Sequence, residues 1–155
     1  MSTFFFTRTT RDLLLAGSIT FASLMPQGSM ADEPAASGGD SRVDLGFTSE
    51  EKATFLADMR MMLGSVQGIL HGISEEDREA IAQAAKVSGN RMARGTPASI
   101  RDKTPPEFKA IGGPMHMTFE EIAIRAETDP LEDITAMTAE AMNQCMACHA
   151  KFRVD

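Results

Sequence analysis

The sequence has few of the features that mark several common classes of protein. Only two of its 155 residues are cysteine, so a tetrahedral zinc site would need histidines or carboxylates to complete it, and the usual second Cys/His pair is missing. Apolar and polar residues do not alternate over a useful length, which argues against β-strands, and no internal repeat stands out. No pairing of a nucleophile with a general base is recognisable, so the sequence does not favour an enzyme.

Residues 1–31 have the parts of a secretory signal. Arg8 and Arg11 precede a short apolar run, and Ser29-Met30-Ala31 places small residues two apart. The apolar run is too short to span a membrane. We therefore expect export with cleavage near Ala31 and no membrane contact afterwards, and a retained N-terminal anchor is the alternative.

After the signal, the sequence predicts a flexible linker at 32–42 and one folded domain at 43–155. The linker is rich in Ala, Ser, Gly, Pro and acidic residues, which have little to bury. The signal contains Arg8, Arg11 and Asp12, so the rest of the chain has 13 basic and 21 acidic residues, a net charge of −8. This charge argues against nucleic acid or an anionic membrane as partner and permits a basic redox partner protein.

The strongest motif is Cys145-Met146-Ala147-Cys148-His149. Two cysteines three apart followed by histidine are typical of c-type haem attachment. On a helix, positions i, i+3 and i+4 share one face, so two thiols and one imidazole would face the same flat ring. We therefore predict one covalently bound haem c, with thioether links from Cys145 and Cys148 and with His149 as an iron ligand. A thioredoxin-like redox pair would need a preceding strand, which is not visible.

Four stretches have the apolar spacing of amphipathic helices. The first begins with a capping box of Thr48 and Glu51. It also carries a glycine stripe of Gly64, Gly68 and Gly72, against which we expect a close helix or the haem to lie. The four stretches are 48–73, 74–89, 114–128 and 129–152. Residues 95–106 are expected to be a loop, and 106–111 a turn or two of helix closed by Gly112-Gly113. The pattern predicts an all-α four-helix bundle with the haem motif on the last helix.

The segment 145–153, in which Phe152 and Arg153 follow the haem motif, resembles the C-terminal signature of the class II c-type cytochromes, the cytochrome c prime group. The resemblance implies an antiparallel bundle, one covalent haem, His149 as proximal ligand and a distal side covered by the first helix. It also implies a periplasmic location, since such haem is attached outside the bacterial cytoplasm, and a homodimer through the first two helices. Arg153 would then pair with a haem propionate, or remain a solvated charge.

The second axial ligand departs from the pattern of the family. Six-coordinate members carry a methionine four residues after an arginine or lysine of the first helix, and here the residue four after Arg60 is Gly64. We favour Met59, at the middle of the apolar face, over Met62. His116 is a competing ligand or propionate partner, although packing alone would also explain it, and an open site is the remaining possibility.

These observations predict an electron carrier in which His149 and Met59 bind the haem iron. The alternative is a five-coordinate, cytochrome c prime-like protein that binds NO or CO, which Gly64 favours. A small peroxidase would need a distal acid–base residue, for which His116 is the candidate. His71 is expected to lie at the negative end of the first helix.

Overall fold

The structure, a computed structural model, describes residues 39–155. This part of the chain is mostly helical, as expected for an all-α protein. The signal at 1–31 and most of the linker lie outside the described residues, so those assignments stay predictions. Within 39–155 the elements are β1 (Val43–Asp44), α1 (Ser49–Ser74), α2 (Arg78–Ser88), α3 (Asn90–Gly95), α4 (Ala98–Lys103), α5 (Pro106–Arg125), α6 (Leu131–His149) and β2 (Phe152–Arg153).

The predicted capping box at the start of α1 is confirmed. The Glu51 amide donates to Thr48 Oγ1 at 3.3 Å, and the Thr48 amide donates to Glu51 Oε2 at 2.8 Å. The predicted start of the second helix was three residues early. Ser74 is the last residue of α1, and Asp77 is the N-cap of α2, where its carboxylate accepts from the Ala80 amide at 2.9 Å. Ser74 and Asp77 are both of residue types that cap helices, and because α1 continues through Ser74, Asp77 is the one that caps α2.

The predicted loop and the predicted break before the third helix are both wrong. Residues 98–103 form α4, whose Ile100 is buried. Helix α5 starts at Pro106 and continues through Gly112, Gly113 and Pro114. Glycine costs about 1 kcal/mol and proline about 3 kcal/mol in a helix interior, and the buried apolar face of α5 offsets that cost. This face consists of Met115, Phe119, Ile122 and Ala123.

The core lies between the four longer helices of the described part. Helix α1 packs against α2, α2 against α5, α5 against α6, and α6 returns to α1. The largest side chains that are fully buried between them are Ile69, Ile81, Phe119, Ile122 and Ile134. No helix within 39–155 is long and apolar enough to cross a membrane.

The glycine stripe of α1 lets two helices approach closely. A Cβ atom at Gly68 would lie 2.8 Å from Ala84 Cβ, and one at Gly72 would lie 2.7 Å from Ile81 Cγ1. At these two positions the expected neighbour is therefore another helix, α2. Gly64 has open space instead, and its neighbour Leu63 is 69% exposed, so the buried face of α1 is narrower than its apolar spacing predicts.

A short parallel ribbon ties the beginning of the described chain to its end. Val43 pairs with Phe152, and the Leu45 amide donates to the Arg153 carbonyl at 3.1 Å. Leu45 and Phe152 are buried, and the Phe152 ring packs on Phe108 with 5.4 Å between centroids. The fourth helix was predicted to continue to Phe152, but α6 ends at His149 and Phe152 lies in β2. Strands of two residues have no recognisable period in a sequence, so this pairing was not predicted.

Candidate functional site

A cavity of about 730 Å³ opens between α1, α3, α4, α5 and α6. Its size lies within the range of about 300–1,000 Å³ found for small-molecule and cofactor sites. Its walls are largely apolar. The lining includes Phe55, Met59, Met62, Leu63 and Val66 from α1, Met92 from α3, Ile100 from α4, Phe108, Ile111 and Met115 from α5, and Met142 from α6.

The three residues of the haem motif line this cavity together. Cys145, Cys148 and His149 lie in the last turns of α6, where positions i, i+3 and i+4 share one face. Both cysteines are free and half-buried, and His149 is exposed, so the motif lies at the rim of the cavity. Burial raises the pKa of the Cys145 thiol, and burial together with the neighbouring Cys145 raises that of Cys148. The Cys145 thiol donates to Met115 Sδ at 3.7 Å.

The end of α6 is held by the segment that precedes α1. The Arg42 guanidinium donates to the His149 carbonyl at 3.3 Å. Two residues later, just past the end of the helix, the Val43 amide donates to the Lys151 carbonyl at 2.7 Å. Carbonyls at a helix C-terminus lack partners within the helix, and here residues more than a hundred positions away in sequence supply them.

The structure brings all of the candidate second ligands to the same cavity. Met59 is half-buried and packs against the core, Met62 is 5% exposed within the core, and His116 is half-buried on α5. Each of the three lines the cavity. Gly64, the position transferred from the family pattern, does not line it. His71 lies in the last turn of α1, as expected.

His116 has a well-defined hydrogen bond. Its Nδ1 lies 2.7 Å from the carbonyl oxygen of Ser88, the last residue of α2. Ser88 is fully buried, and its hydroxyl lies 2.8 Å from that of Ser65 on α1. Burial raises the pKa of Asp58, which also lines the cavity, and the electrostatic effect of His116 partly offsets this rise.

Arg153 is not brought to the cavity. Its guanidinium binds the Asp155 carboxylate and donates to the Arg42 carbonyl, so it belongs to the ribbon. Three other cationic side chains line the cavity instead, namely Arg60, Arg101 and Lys109. Sequence reasoning missed Arg101 and Lys109 as site residues because it treated 95–106 as a loop and ended the next helix early.

Asp58 was also missed. It precedes Met62 by four residues, and this spacing is the signal that would have placed it beside Met62. Its position on the cavity wall adds a carboxyl group to a lining that is otherwise mostly apolar.

The residues present fit a covalently attached haem. One wall supplies two thiols and an imidazole, the lining is apolar, and cations lie at the exposed rim where carboxylates would meet solvent. Within residues 39–155 no three His, Cys, Asp or Glu side chains cluster closely enough to hold a metal ion by themselves. The zinc alternative therefore has no ligand set in the described part, whereas a haem brings its own nitrogen ligands.

Comparison of the chain with protein-family models, with curated proteins and with solved structures found no match. The resemblance to class II c-type cytochromes therefore stays a prediction. It depends on the motif, on the residues that follow it and on the helical pattern.

Proposed function

We propose that the protein is a periplasmic monohaem c-type cytochrome that carries electrons. The observation that supports this most is the joint placement of Cys145, Cys148 and His149 on one wall of a large apolar cavity. The finer fold proposed with it is an antiparallel four-helix bundle of α1, α2, α5 and α6, with the haem site on α6. The closed series of contacts between these four helices supports that arrangement.

Four of the lining residues have a specific role in this proposal. Cys145 and Cys148 would form the two thioether links, and His149 would bind the iron. When bound, the group would supply an iron that takes up and releases single electrons. Met59, favoured by the sequence as the second iron ligand, lines the same cavity. The apolar walls would exclude water from the iron and its ligands, which favours a stable ligand set. The exposed motif would leave one edge of the haem near the surface for electron exchange.

The cations at the rim are proposed to take the role first given to Arg153. Arg60, Arg101 and Lys109 are exposed and line the cavity, so their charges lie where haem carboxylates would emerge. Arginine in particular binds carboxylates through two parallel hydrogen bonds. Pairing of Arg153 with Asp155 leaves it less suited to that role.

The proposed partners are a redox protein and a second copy of this chain. The acidic charge of the mature domain suits a basic redox partner and does not suit nucleic acid or, after cleavage of the signal, an anionic membrane. Met61 and Leu70 of α1 and Val87 of α2 are exposed apolar residues on the two helices through which a dimer is expected. Their exposure supports a homodimer.

The proposal is tested by the mass and colour of the purified protein. We expect the chain, expressed with its signal in a host competent for cytochrome maturation, to gain the mass of one haem that survives denaturation. The double variant Cys145→Ala/Cys148→Ala should lose this covalent haem, whereas Met146→Ala, within the same motif, should keep it. A colourless wild-type protein with the mass of its amino acids alone would refute the proposal.

The second candidate is a five-coordinate haem protein that binds NO or CO. Gly64 favoured it in the sequence, but that residue does not line the cavity, so the structure adds no support. Rapid binding of CO to the reduced protein would favour this candidate, and slow binding limited by loss of an internal ligand would favour the electron carrier.

A further inference from the structure

The hydrogen bond of His116 fixes which of its ring nitrogens is free. A backbone carbonyl can only accept, so at 2.7 Å from the Ser88 oxygen the Nδ1 atom must carry the hydrogen. In the neutral ring, Nε2 then keeps its lone pair. Nε2 has no hydrogen-bond partner within the described part of the chain, although the ring lines the cavity.

This arrangement is typical of a metal-binding histidine. Such residues almost always donate their second ring N–H to a backbone carbonyl or a carboxylate, which fixes the tautomer and orients the ring. Here the accepting carbonyl is itself held firmly. Ser88 is fully buried and hydrogen-bonded to Ser65, and Glu120 of α5 accepts from the Asn90 amide at 2.9 Å, which closes the junction of α2 and α3 against α5.

The methionines have a simpler explanation as packing. Five line the cavity within the described part, namely Met59, Met62, Met92, Met115 and Met142, and flexible thioethers commonly fill irregular apolar space. An imidazole is different, because the Nε2 lone pair that the Ser88 hydrogen bond leaves free is itself a common metal ligand.

We propose that His116, rather than Met59, would bind the haem iron together with His149. This inference depends on the proposed function, in which it replaces Met59 by His116 and leaves Cys145, Cys148 and His149 unchanged. The protein would then be a cytochrome with two imidazole ligands. Two nitrogen ligands stabilise ferric iron better than a nitrogen and a thioether do, since methionine ligation raises the potential.

The test compares spectra of the purified holoprotein and three variants. Electron paramagnetic resonance and absorption spectra of the wild type should show low-spin ferric iron without the charge-transfer band of sulfur ligation. His116→Ala should become high-spin, and added imidazole should restore the low-spin spectrum. Met59→Ala should keep the wild-type spectrum. His116→Gln is the folding control, because its amide can still donate to the Ser88 carbonyl while being a poor iron ligand, and it too should be high-spin.

Three results would overturn the inference: a high-spin wild type, a sulfur-ligation band that disappears in Met59→Ala, or a low-spin spectrum retained in both His116 variants. Each of these is observed on a protein that contains haem. Failure of the proposed function is a separate result, because it appears as a wild-type chain without covalent haem, whatever residue stands at position 116.

Discussion

Replacing Gly72 with alanine should destabilise the protein, although alanine is the better helix former. A Cβ atom at this position would lie 2.7 Å from Ile81 Cγ1, 3.0 Å from the Ile81 amide nitrogen and 3.1 Å from the Asp77 carbonyl oxygen. Two of these three atoms belong to the backbone at the start of α2, so no rotation of a side chain relieves the contact. One of the two helices would have to move.

The magnitude follows from two opposing effects. Alanine gains about 0.5–1 kcal/mol over glycine within a helix, while overpacking of a close contact costs about 1–3 kcal/mol. Because backbone atoms are involved, we expect a cost near the upper end and a net loss of about 2 kcal/mol. Gly64→Ala is the matched control, since it lies eight residues earlier on the same helix with nothing within 4 Å of its Cβ position. That variant should gain up to about 1 kcal/mol.

Urea unfolding of the purified protein, followed by far-UV circular dichroism, measures both changes. The midpoint should fall for Gly72→Ala and rise slightly for Gly64→Ala, with similar slopes if the unfolded states are alike. A Gly72→Ala midpoint equal to or above that of Gly64→Ala would refute the close packing of α1 on α2.

Three further predictions concern the start of α1 and the ribbon. Thr48→Ala should lower the free energy of unfolding by about 1 kcal/mol, because the capping box is lost, and an unchanged urea midpoint would contradict this. Phe152→Ala should cost about 3 kcal/mol or more, since the ring is 8% exposed and packs on Phe108; a thermal midpoint equal to that of the wild type would show that the ribbon is not packed. Lys103→Met should raise the pKa of Glu51, because the hydrogen bond from Lys103 is the main cause that holds this pKa below its ordinary value. A carboxylate whose pKa is lower in the folded than in the unfolded state stabilises the fold above the unfolded-state pKa, and this stabilisation is lost as the pH falls. The variant should therefore lose less stability on acidification. An NMR titration in which the Glu51 pKa is the same in the variant and the wild type would argue against the ion pair.

Local patterns in the sequence predicted much of the helical architecture. The capping box at Thr48 and the end of α2 near Gly89 depend on contacts within a few residues, and these were recognisable, whereas the N-cap of α2 at Asp77 was predicted three residues early. The uninterrupted course of α5 was not. Gly112-Gly113 and Pro114 predict a break by their own preferences, and the packing of the following apolar face outweighs them.

The candidate site was likewise predictable only in part from the sequence. The sequence by itself determined that Cys145, Cys148 and His149 share a helix face, because a spacing of three and four residues fixes that geometry locally. Only the tertiary structure decided which side chains face them. It brought Arg101 to the cavity and left Arg153 in the ribbon.

The orientation of His116 illustrates why the rest of the site could not be predicted from the sequence. Nothing near position 116 shows which ring nitrogen is free, because the deciding partner is the Ser88 carbonyl, twenty-eight residues away at the end of α2. Short-range spacing specifies helices and the faces of helices. Contacts between helices depend on how their surfaces pack together, and the pairing of a carbonyl with an imidazole follows only once that packing exists.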